Sequence, residues 1–176
     1  MAILNLVVAP NALLQQKSID VIQITPEITK LCNDMLETMY HHHGIGLSAV
    51  QVGVLKRLIV VDVLWPALKK PSENPYIMIN PTFKSVNEVL NNYNEGCLSF
   101  PNESVGITRP KEISVSFLDI NGNTQEIIAD GLLATCIQHE IDHLNGITIS
   151  SYVSPLKKTM MINRTRKIKR IMENVI

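Results

Sequence analysis

This chain of 176 residues lacks long apolar runs, a secretion signal and a rich set of cysteines. No apolar run approaches the length needed to span a bilayer, and the first residues, MAILNLVVAPNALL, lack the basic start and small-residue cleavage site of a secretory signal. The three cysteines, Cys32, Cys97 and Cys136, are too few and too scattered for a disulfide framework. We therefore expect a cytosolic protein with reduced thiols and with neither a membrane nor a disulfide partner.

Net charge is absent as well, because 16 lysines and arginines balance 16 aspartates and glutamates. With 45% apolar residues, this composition argues against disorder and against nucleic-acid binding by the chain as a whole. Any contact with a nucleic acid would have to be local. The length suits one domain with a sizeable core, and the chain has no internal repeat or obvious linker, so we expect a single domain over residues 1–176.

Three segments have apolar residues at helical spacing. One helix is predicted over residues 26–42, with Thr25 as its cap and proline at its first position. A second is predicted over about 132–144, where Gly146 can end it. The third is predicted over about 155–174, with an apolar side made of Ile168, Ile171, Met172 and Val175.

Strands are predicted between the first two helices. The segments RLIVVDVL (57–64) and YIMIN (76–80) have the apolar density of buried strands, and residues 44–46 open a loop before them. Within residues 113–129, ISVSFLD and QEIIA flank Asn121-Gly122, which predicts a hairpin with the primed turn that Asn-Gly favours. These elements favour an α+β fold, with small mixed or antiparallel sheets packed around the central helix 132–144 and a helix at the C-terminus.

The stretch CIQHEIDHLNG (136–146) has the spacing of a metal-binding helix. His139 and His143 lie one turn apart on the same face, so both imidazoles can reach one ion. Glu140 beside them is suited to moving a proton on water that the metal activates. The same pattern equally fits two core or surface histidines without a metal. The presence of a third ligand therefore distinguishes a metal site from this alternative.

A third ligand from downstream is not expected. His139 to Gly146 matches the start of the metzincin protease pattern, but the position of its third histidine holds Ile149. No histidine follows His143, and the only later acidic residue is Glu173.

The cysteines differ in their suitability as ligands. Cys136 lies about 7 Å along the helix axis from the midpoint of the two histidines, so we interpret it as packing behind the site. Cys32 belongs to the apolar face of the first helix. Cys97, in NEGCLSFP, follows a glycine and precedes a proline, where a thiolate can be presented to an ion. A structural role for a lone cysteine remains the alternative.

NEGCLSFP, CIQHEIDHLNG and GIGLSAVQVG (44–53) together resemble the three motifs of the peptide deformylases, in that family's order and separation. The resemblance implies one divalent metal, commonly ferrous iron in this family, with zinc or nickel as substitutes. The ligand set is compatible with all three metals. The roles that it implies are metal ligation by Cys97, His139 and His143, acid–base catalysis by Glu140, and oxyanion binding by Gln51 and the backbone amide of Leu98.

The reaction that this resemblance implies is removal of the formyl group from the N-terminal formyl-methionine of newly made polypeptides, with release of formate. The resemblance also names candidates for a methionine pocket, although ordinary packing is an equal alternative for each: Ile45, Gly46, Tyr93, Leu132 and Cys136. Two other functions compete. One is a zinc endopeptidase, and the other is an inactive relative that binds the ribosome or formyl peptides without turnover.

The chain departs from the family pattern at three positions. Ser48 stands where alanine is usual, and Val50 where proline or threonine is frequent, which affects the backbone path to Gln51 but not the metal ligands. Some members carry a substrate-contacting arginine at the position of Ser104.

Two groups of charged or polar residues have open interpretations. Arg109 can pair with Glu95 and brace the cysteine loop, or it can be a solvated charge. His41-His42-His43 is expected to be an exposed turn without function, since consecutive residues do not converge.

The segment 157–170 contains seven lysines and arginines and no acid. It is typical of a solvated helix face. The alternative is a contact with ribosomal RNA where nascent chains emerge, because phosphate neutralisation is favourable.

Overall fold

The computed structural model describes residues 2–173, and side chains up to residue 171. The helices are α1 Pro26–His41, α2 Trp65–Leu68, α3 Gly131–Leu144 and α4 Pro155–Glu173. The strands are β1 Gly46–Ser48, β2 Leu58–Val61, β3 Tyr76–Ser85, β4 Leu90–Cys97, β5 Phe100–Pro110, β6 Glu112–Leu118 and β7 Thr124–Asp130. Short 3-10 turns lie at Ala12–Gln15, Ala49–Val52 and Ile149–Tyr152.

The strands form two antiparallel sheets. One has five strands in the order β1-β2-β3-β6-β7, and the other is the hairpin β4-β5. This arrangement confirms the predicted α+β class with small antiparallel sheets and a C-terminal helix. Among the described residues, no helix combines the length and apolarity needed to cross a bilayer.

The core is organised around β2 and α3. Ile59 and Val61 of β2 face the apolar cluster that contains α3, while Leu58 and Val60 face the cluster that contains α1. Both faces of this strand are covered, which explains its continuous run of apolar residues. Ten of the fourteen residues of α3 are buried, so this helix is the central one, as predicted.

The first and second predicted helices are confirmed within a residue or two. Helix α1 begins at Pro26, and Met35 and Met39 are fully buried on its inner face. Helix α3 ends before Gly146, which has φ +75°. A Cβ at this glycine would lie 2.4 Å from the carbonyl oxygen of Gln15, so glycine is needed both for the turn and for the close approach of the N-terminal segment.

Two predicted strands have different lengths from those expected. The strand predicted over 57–64 stops at Val61, because the carboxylate of Asp62 accepts hydrogen bonds from the N–H groups of Leu64, Trp65 and Ser72 and turns the chain. Strand β3 continues beyond 80 to Ser85, past a register shift.

The predicted hairpin of 113–119 with 125–129 is confirmed, but its primed turn is wrong. Leu118 pairs with Thr124, so the loop is longer than two residues, and of Asn121 and Gly122 only the glycine has positive φ. The carboxylate of Asp119 accepts hydrogen bonds from the backbone N–H groups of Asn121 and Asn123 at 2.9 Å, which stabilises the longer loop.

Three strands, β1, β4 and β5, were not predicted. Residues 44–46 were interpreted as a loop, whereas β1 begins at Gly46 and pairs with β2. Strands β4 and β5 alternate between exposed and buried positions but contain asparagine, glycine and proline, which are depleted in strands.

The predicted C-terminal helix is confirmed as α4, but its buried face differs from the prediction. Met161 and Thr165 are fully buried, whereas Ile171 is 64% exposed and Ile168 only partly buried. The predicted burial of Met172 and Val175, and the predicted end of the helix at Asn174, lie outside what the structure describes.

Candidate metal centre

Three potential ligand atoms converge where β4 ends against α3. Cys97, His139 and His143 each offer one atom, and these atoms all lie within 4.8 Å of one another. The Sγ of Cys97 is 3.2 Å from Nε2 of His143, and the two imidazole centroids are 5.0 Å apart. The fold therefore brings together residues from two separate sequence motifs.

Local backbone structure explains this convergence. The two histidines are four residues apart on α3 and so share one face. Cys97 is the last residue of β4, and the pairing with β5 shifts register between Gly96 and Cys97, so that Cys97 pairs with Phe100. An irregularity of this kind redirects the side chain that follows it.

The residues present fit a metal ion. One thiolate and two imidazoles are a donor set for divalent transition metals. The Nδ1 of His139 is already used in a hydrogen bond with Glu95, which leaves its Nε2 for the cluster. Burial is the main cause that lowers the pKa of His143, which favours the neutral imidazole that a ligand needs. Burial acts in the same direction on His139, but its contacts with Cys97 and Glu95 outweigh burial and raise its pKa, so metal binding there displaces a proton. Lone pairs this close together repel one another unless a cation or protons lie between them.

A buried ionic network supports His139. Glu95 accepts a hydrogen bond from Nδ1 of His139 at 2.8 Å and from Nε of Arg109 at 2.6 Å. Nη1 of Arg109 also donates to Asp142 at 2.8 Å, and its guanidinium lies over the ring of Tyr152. The predicted pairing of Arg109 with Glu95 is confirmed, and Arg109 is not a solvated charge, since it is only 6% exposed. Partners of this type fix the orientation of a metal-binding imidazole.

The carboxyl group of Glu95 stays ionised in this network. Burial alone would raise its pKa, but the hydrogen bonds from His139 and Arg109 and their charges outweigh burial and lower the pKa below its usual value.

Glu140 lies next to the three ligands and is 3% exposed. Its Oε2 is buried and has no hydrogen-bond partner among the described residues. Burial raises the pKa of this carboxyl group to about 7. A cation at the neighbouring ligands would favour the carboxylate and oppose that shift. A carboxyl group with one unpartnered oxygen and with a pKa near neutrality can accept and return a proton.

Gln51 approaches the same place from the turn Ala49–Val52 and is 1% exposed. Its Nε2 lies 3.3 Å from Oγ of Ser99 and 3.6 Å from Sγ of Cys97, so an amide donor faces the ligand cluster. Leu98 follows Cys97 directly, and its side chain packs against Gly44. Of the two predicted oxyanion-binding residues, Gln51 therefore approaches the sulfur of Cys97, and Leu98 is the next residue in the chain and lines the same cavity.

A cavity of about 520 Å³ opens beside this group. All five residues predicted to hold methionine are on its wall: Ile45, Gly46, Tyr93, Leu132 and Cys136. Glycine is required at 46, because a Cβ there would lie 2.6 Å from both Sγ of Cys136 and Oε1 of Glu140. Cys136 is also buried, and its thiol donates to the carbonyl of Ile45, so it both packs and lines the cavity.

Sequence reasoning missed several residues of this cavity. Leu6 and Val8 line it, and the N-terminal segment is tied to the site by hydrogen bonds from the Val7 N–H to the Gln51 carbonyl and from the Ala9 N–H to the Ser99 carbonyl. No local motif marks these residues.

The exposure predicted for the histidine turn is confirmed for His41 and His43, whereas His42 is half-buried. His42 and His43 also line the cavity, and the ring of His43 stacks on Trp65. The three rings do not converge on one point, as expected, yet two of them border the site because the turn joins α1 to β1.

The three departures from the family motifs lie in different surroundings. Ser48 and Val50 are fully buried next to Gln51, whereas Ser104 is exposed on β5.

Comparison with protein families gives a match over residues 3–159, to the polypeptide deformylase family. The chain is 47% identical over 169 residues to the peptide deformylase of Pelagibacter ubique, covering 96% of each protein. It is 41% identical to the peptide deformylase of Rickettsia akari, covering both proteins completely.

Solved structures agree with these relatives. A peptide deformylase from Ehrlichia chaffeensis superposes with a TM-score of 0.89 at 38% identity, covering 99% of this chain and all of the other. A structure of peptide deformylase from the same organism in complex with actinonin gives 0.89 at 42% identity, covering 97% and 99% of the two chains.

Proposed function

The chain belongs to the polypeptide deformylase family, and from this premise we propose which residues carry out the reaction. It is a metal-dependent amide hydrolase that removes the formyl group from the N-terminal formyl-methionine of newly made polypeptides. The observation that carries the residue assignment is the convergence of Cys97, His139 and His143 beside the buried carboxyl group of Glu140. Cys97, His139 and Glu140 line one cavity.

Cys97, His139 and His143 would hold one divalent metal ion. Such an ion would supply Lewis acidity and would lower the pKa of water toward about 7. Glu95 keeps the imidazole of His139 in the tautomer that presents Nε2 to the ion, and Arg109 keeps Glu95 ionised and in place. We assign ferrous iron as the physiological metal from the family resemblance, with zinc and nickel as substitutes.

Glu140 is the general acid and base. Its carboxylate accepts a proton from the attacking water, and its carboxylic acid then gives that proton to the departing amine. Water adds to the formyl carbon, the carbon–nitrogen bond breaks, and formate and a free N-terminus result. The Gln51 Nε2–H and the Leu98 N–H donate to the formyl oxygen as negative charge develops on it, and loss of one such donor typically costs about 100- to 1000-fold in kcat.

The apolar part of the cavity holds the methionine side chain of the substrate. Ile45, Tyr93, Leu132 and Cys136 supply this wall, and Gly46 leaves room for α3 to approach β1. A cavity of about 520 Å³ is large enough for methionine and the start of the following chain.

The function is tested by formate release from a formyl-methionyl peptide, using enzyme loaded with iron and protected from oxygen. Protection is needed because both a thiolate and ferrous iron are oxidisable. Release of one formate for each new amino terminus supports the proposal. Cleavage of internal peptide bonds would indicate an endopeptidase instead, and binding of the peptide without formate would indicate an inactive relative.

The metal assignment has its own test. Protein purified without oxygen is analysed for metal content, and the stripped protein is then reloaded separately with iron, zinc and nickel. Iron as the main native metal supports the assignment, whereas zinc as the only metal in oxygen-free preparations contradicts it.

We also propose that residues 1–176 act as one cytoplasmic catalytic domain. Helix α3 packs against strands of both sheets, which supports a single unit, and the substrates are chains that leave the ribosome in the cytoplasm. Fractionation of cells that express the protein tests the location, and limited proteolysis tests the single unit.

The basic face of α4 is proposed to contact ribosomal RNA. Deletion of the helix would be a poor test, because Met161 and Thr165 are fully buried and the fold would lose part of its core. Charge reversal of exposed residues tests the contact without removing core residues. The residues to be changed to glutamate are Arg166, Lys167 and Arg170. The matched control reverses three exposed lysines elsewhere, namely Lys69, Lys70 and Lys84.

The α4 variant should co-sediment less with ribosomes at low salt, and wild-type binding should weaken as salt rises. The control variant should bind as the wild type does. Equal binding of all three proteins at low salt would contradict a role for α4.

A further inference from the structure

The hydroxyl group of Ser48 is a buried polar group beside the site that the mechanism above does not use. Ser48 is fully buried, and its Oγ donates to Oε1 of Gln51 at 2.8 Å. The backbone N–H of Ser48 donates to the same oxygen, also at 2.8 Å. An amide oxygen has two lone pairs, so these two donors fill its capacity.

This pair of hydrogen bonds determines which way the Gln51 amide points. A backbone N–H can only donate, so the Gln51 atom that it meets must be the oxygen. The Nε2 group is then directed toward Ser99 and Cys97, at 3.3 and 3.6 Å. A flipped amide would set two donors against each other at Ser48 and turn an acceptor toward the ligand cluster.

We infer that Ser48 is a positioning residue for the reaction: its hydroxyl group holds the Gln51 amide with Nε2 toward the formyl oxygen. The inference rests on the proposed role of Gln51 as an oxyanion donor. Donors on Oε1 also polarise the amide, which strengthens the hydrogen bonds that Nε2 donates. Alanine is usual at this position in the family motif, and alanine offers Gln51 only its backbone N–H. This chain offers Gln51 a second donor, the hydroxyl group of Ser48.

Two other roles for Ser48 have to be separated from this one. Ser48 is the N-cap of the turn Ala49–Val52, so its hydroxyl group could act only on local stability. Burial raises the pKa of Glu140, and a hydrogen bond from Ser48 is among the interactions that oppose this, so the hydroxyl group could instead serve Glu140. The hydroxyl group has one proton and can donate it to only one acceptor at a time. A double-mutant cycle identifies whether the acceptor that affects turnover is Gln51 or Glu140.

The test is a double-mutant cycle of Ser48→Ala and Gln51→Ala, with all four proteins loaded with the same metal. Ser48→Ala should lower kcat by about 3- to 10-fold, the value of one hydrogen bond, with KM nearly unchanged. In the Gln51→Ala background, Ser48→Ala should cause no further loss of kcat. A loss of the same size in both backgrounds would place the action of Ser48 elsewhere and overturn the inference, as would an unchanged kcat in the single variant.

A measurement independent of turnover follows the Gln51 side chain itself. The side-chain amide resonances of Gln51, identified by their loss in Gln51→Ala, should shift in Ser48→Ala and exchange faster with water, in zinc-loaded and in stripped protein. Unchanged resonances would overturn the inference. If Gln51→Ala alone left turnover intact, the proposed role of Gln51 would fail, while these resonances would still report on the contact with Ser48.

The matched control is Ser150→Ala. Ser150 is 3% exposed, and its Oγ lies 2.9 Å from that of Thr148, so the same change removes another buried, hydrogen-bonded hydroxyl group. This variant should leave kcat and the Gln51 resonances unchanged. An equal change in it would show that loss of any buried hydroxyl has this effect and would overturn the inference. If Ser48→Ala failed to fold, Ser48→Gly takes its place in the same cycle.

Discussion

Replacement of Arg109 by methionine should destabilise the fold and weaken metal binding together. The guanidinium donates to Glu95 from Nε at 2.6 Å and from Nη2 at 3.0 Å, and to Asp142 from Nη1 at 2.8 Å. The side chains of Arg109 and Glu95 are only 7% and 5% exposed. Methionine keeps much of the apolar stem but leaves a carboxylate buried without its cation.

The size of the effect follows from this burial. Removal of one partner of a buried ion pair costs about 3–5 kcal/mol in the free energy of unfolding. For a chain of this length, that corresponds to a decrease of about 6–20 °C in Tm. The pKa of Glu95 should rise without Arg109, and because Glu95 orients His139, metal affinity should fall by about 10- to 100-fold.

The assay compares Arg109→Met with a second arginine–glutamate pair, in which the glutamate is 8% exposed but the arginine is half exposed. Arg164 makes the same bidentate contact with Glu103, but the side chain of Arg164 is 49% exposed. Urea unfolding of stripped proteins gives the stability, and competition with a chelator gives the metal affinity. Arg164→Met should lose much less stability and should keep its metal affinity. If Arg109→Met lost no more than Arg164→Met in either measurement, the bracing role of the network would be refuted.

Three further experiments test the packing of the site and the core. Gly46→Ala should lower kcat/KM by about 100-fold with little change in far-UV circular dichroism, because its Cβ would displace Glu140. The control Gly106→Ala should be tolerated, and normal activity of Gly46→Ala would contradict the packing. Cys32, whose pKa burial raises to about 12, should resist alkylation at pH 8 until urea unfolds the protein, as followed by peptide mass. Gly146→Ala should cost about 1–3 kcal/mol in urea unfolding, since φ is +75° and Cβ would meet the Gln15 carbonyl; an unchanged midpoint would disprove the strain.

Helix α3 was the part of the molecule most accessible from sequence. The spacing of His139 and His143 and the stop at Gly146 are local features, and local periodicity predicts them. The metal-binding face of this helix could therefore be predicted without knowing how the rest of the chain folds.

The third ligand could be inferred only from a motif. Cys97 reaches the histidines through a register shift in a hairpin whose strands are rich in asparagine and glycine, and no periodicity in that segment predicts it. The contacts of Ser48 with Gln51 and the approach of Val8 to the cavity are likewise contacts that only the folded chain creates.

The burial of α4 was mispredicted for a related reason. Apolar spacing in the helix is compatible with several faces, and the strand against which it packs decides which one is covered. The helix therefore buries Met161 and Thr165 rather than Ile171.

The central claim is that Glu140 moves the proton at a metal site which it does not help to build. The most direct measurement is metal content and formate release on the same preparation of Glu140→Gln, since glutamine keeps the shape of the side chain but cannot accept the proton. We expect about one metal ion per chain, as in the wild type, and a decrease of about 100- to 10,000-fold in kcat. Full turnover by this variant, or loss of its metal, would contradict the account.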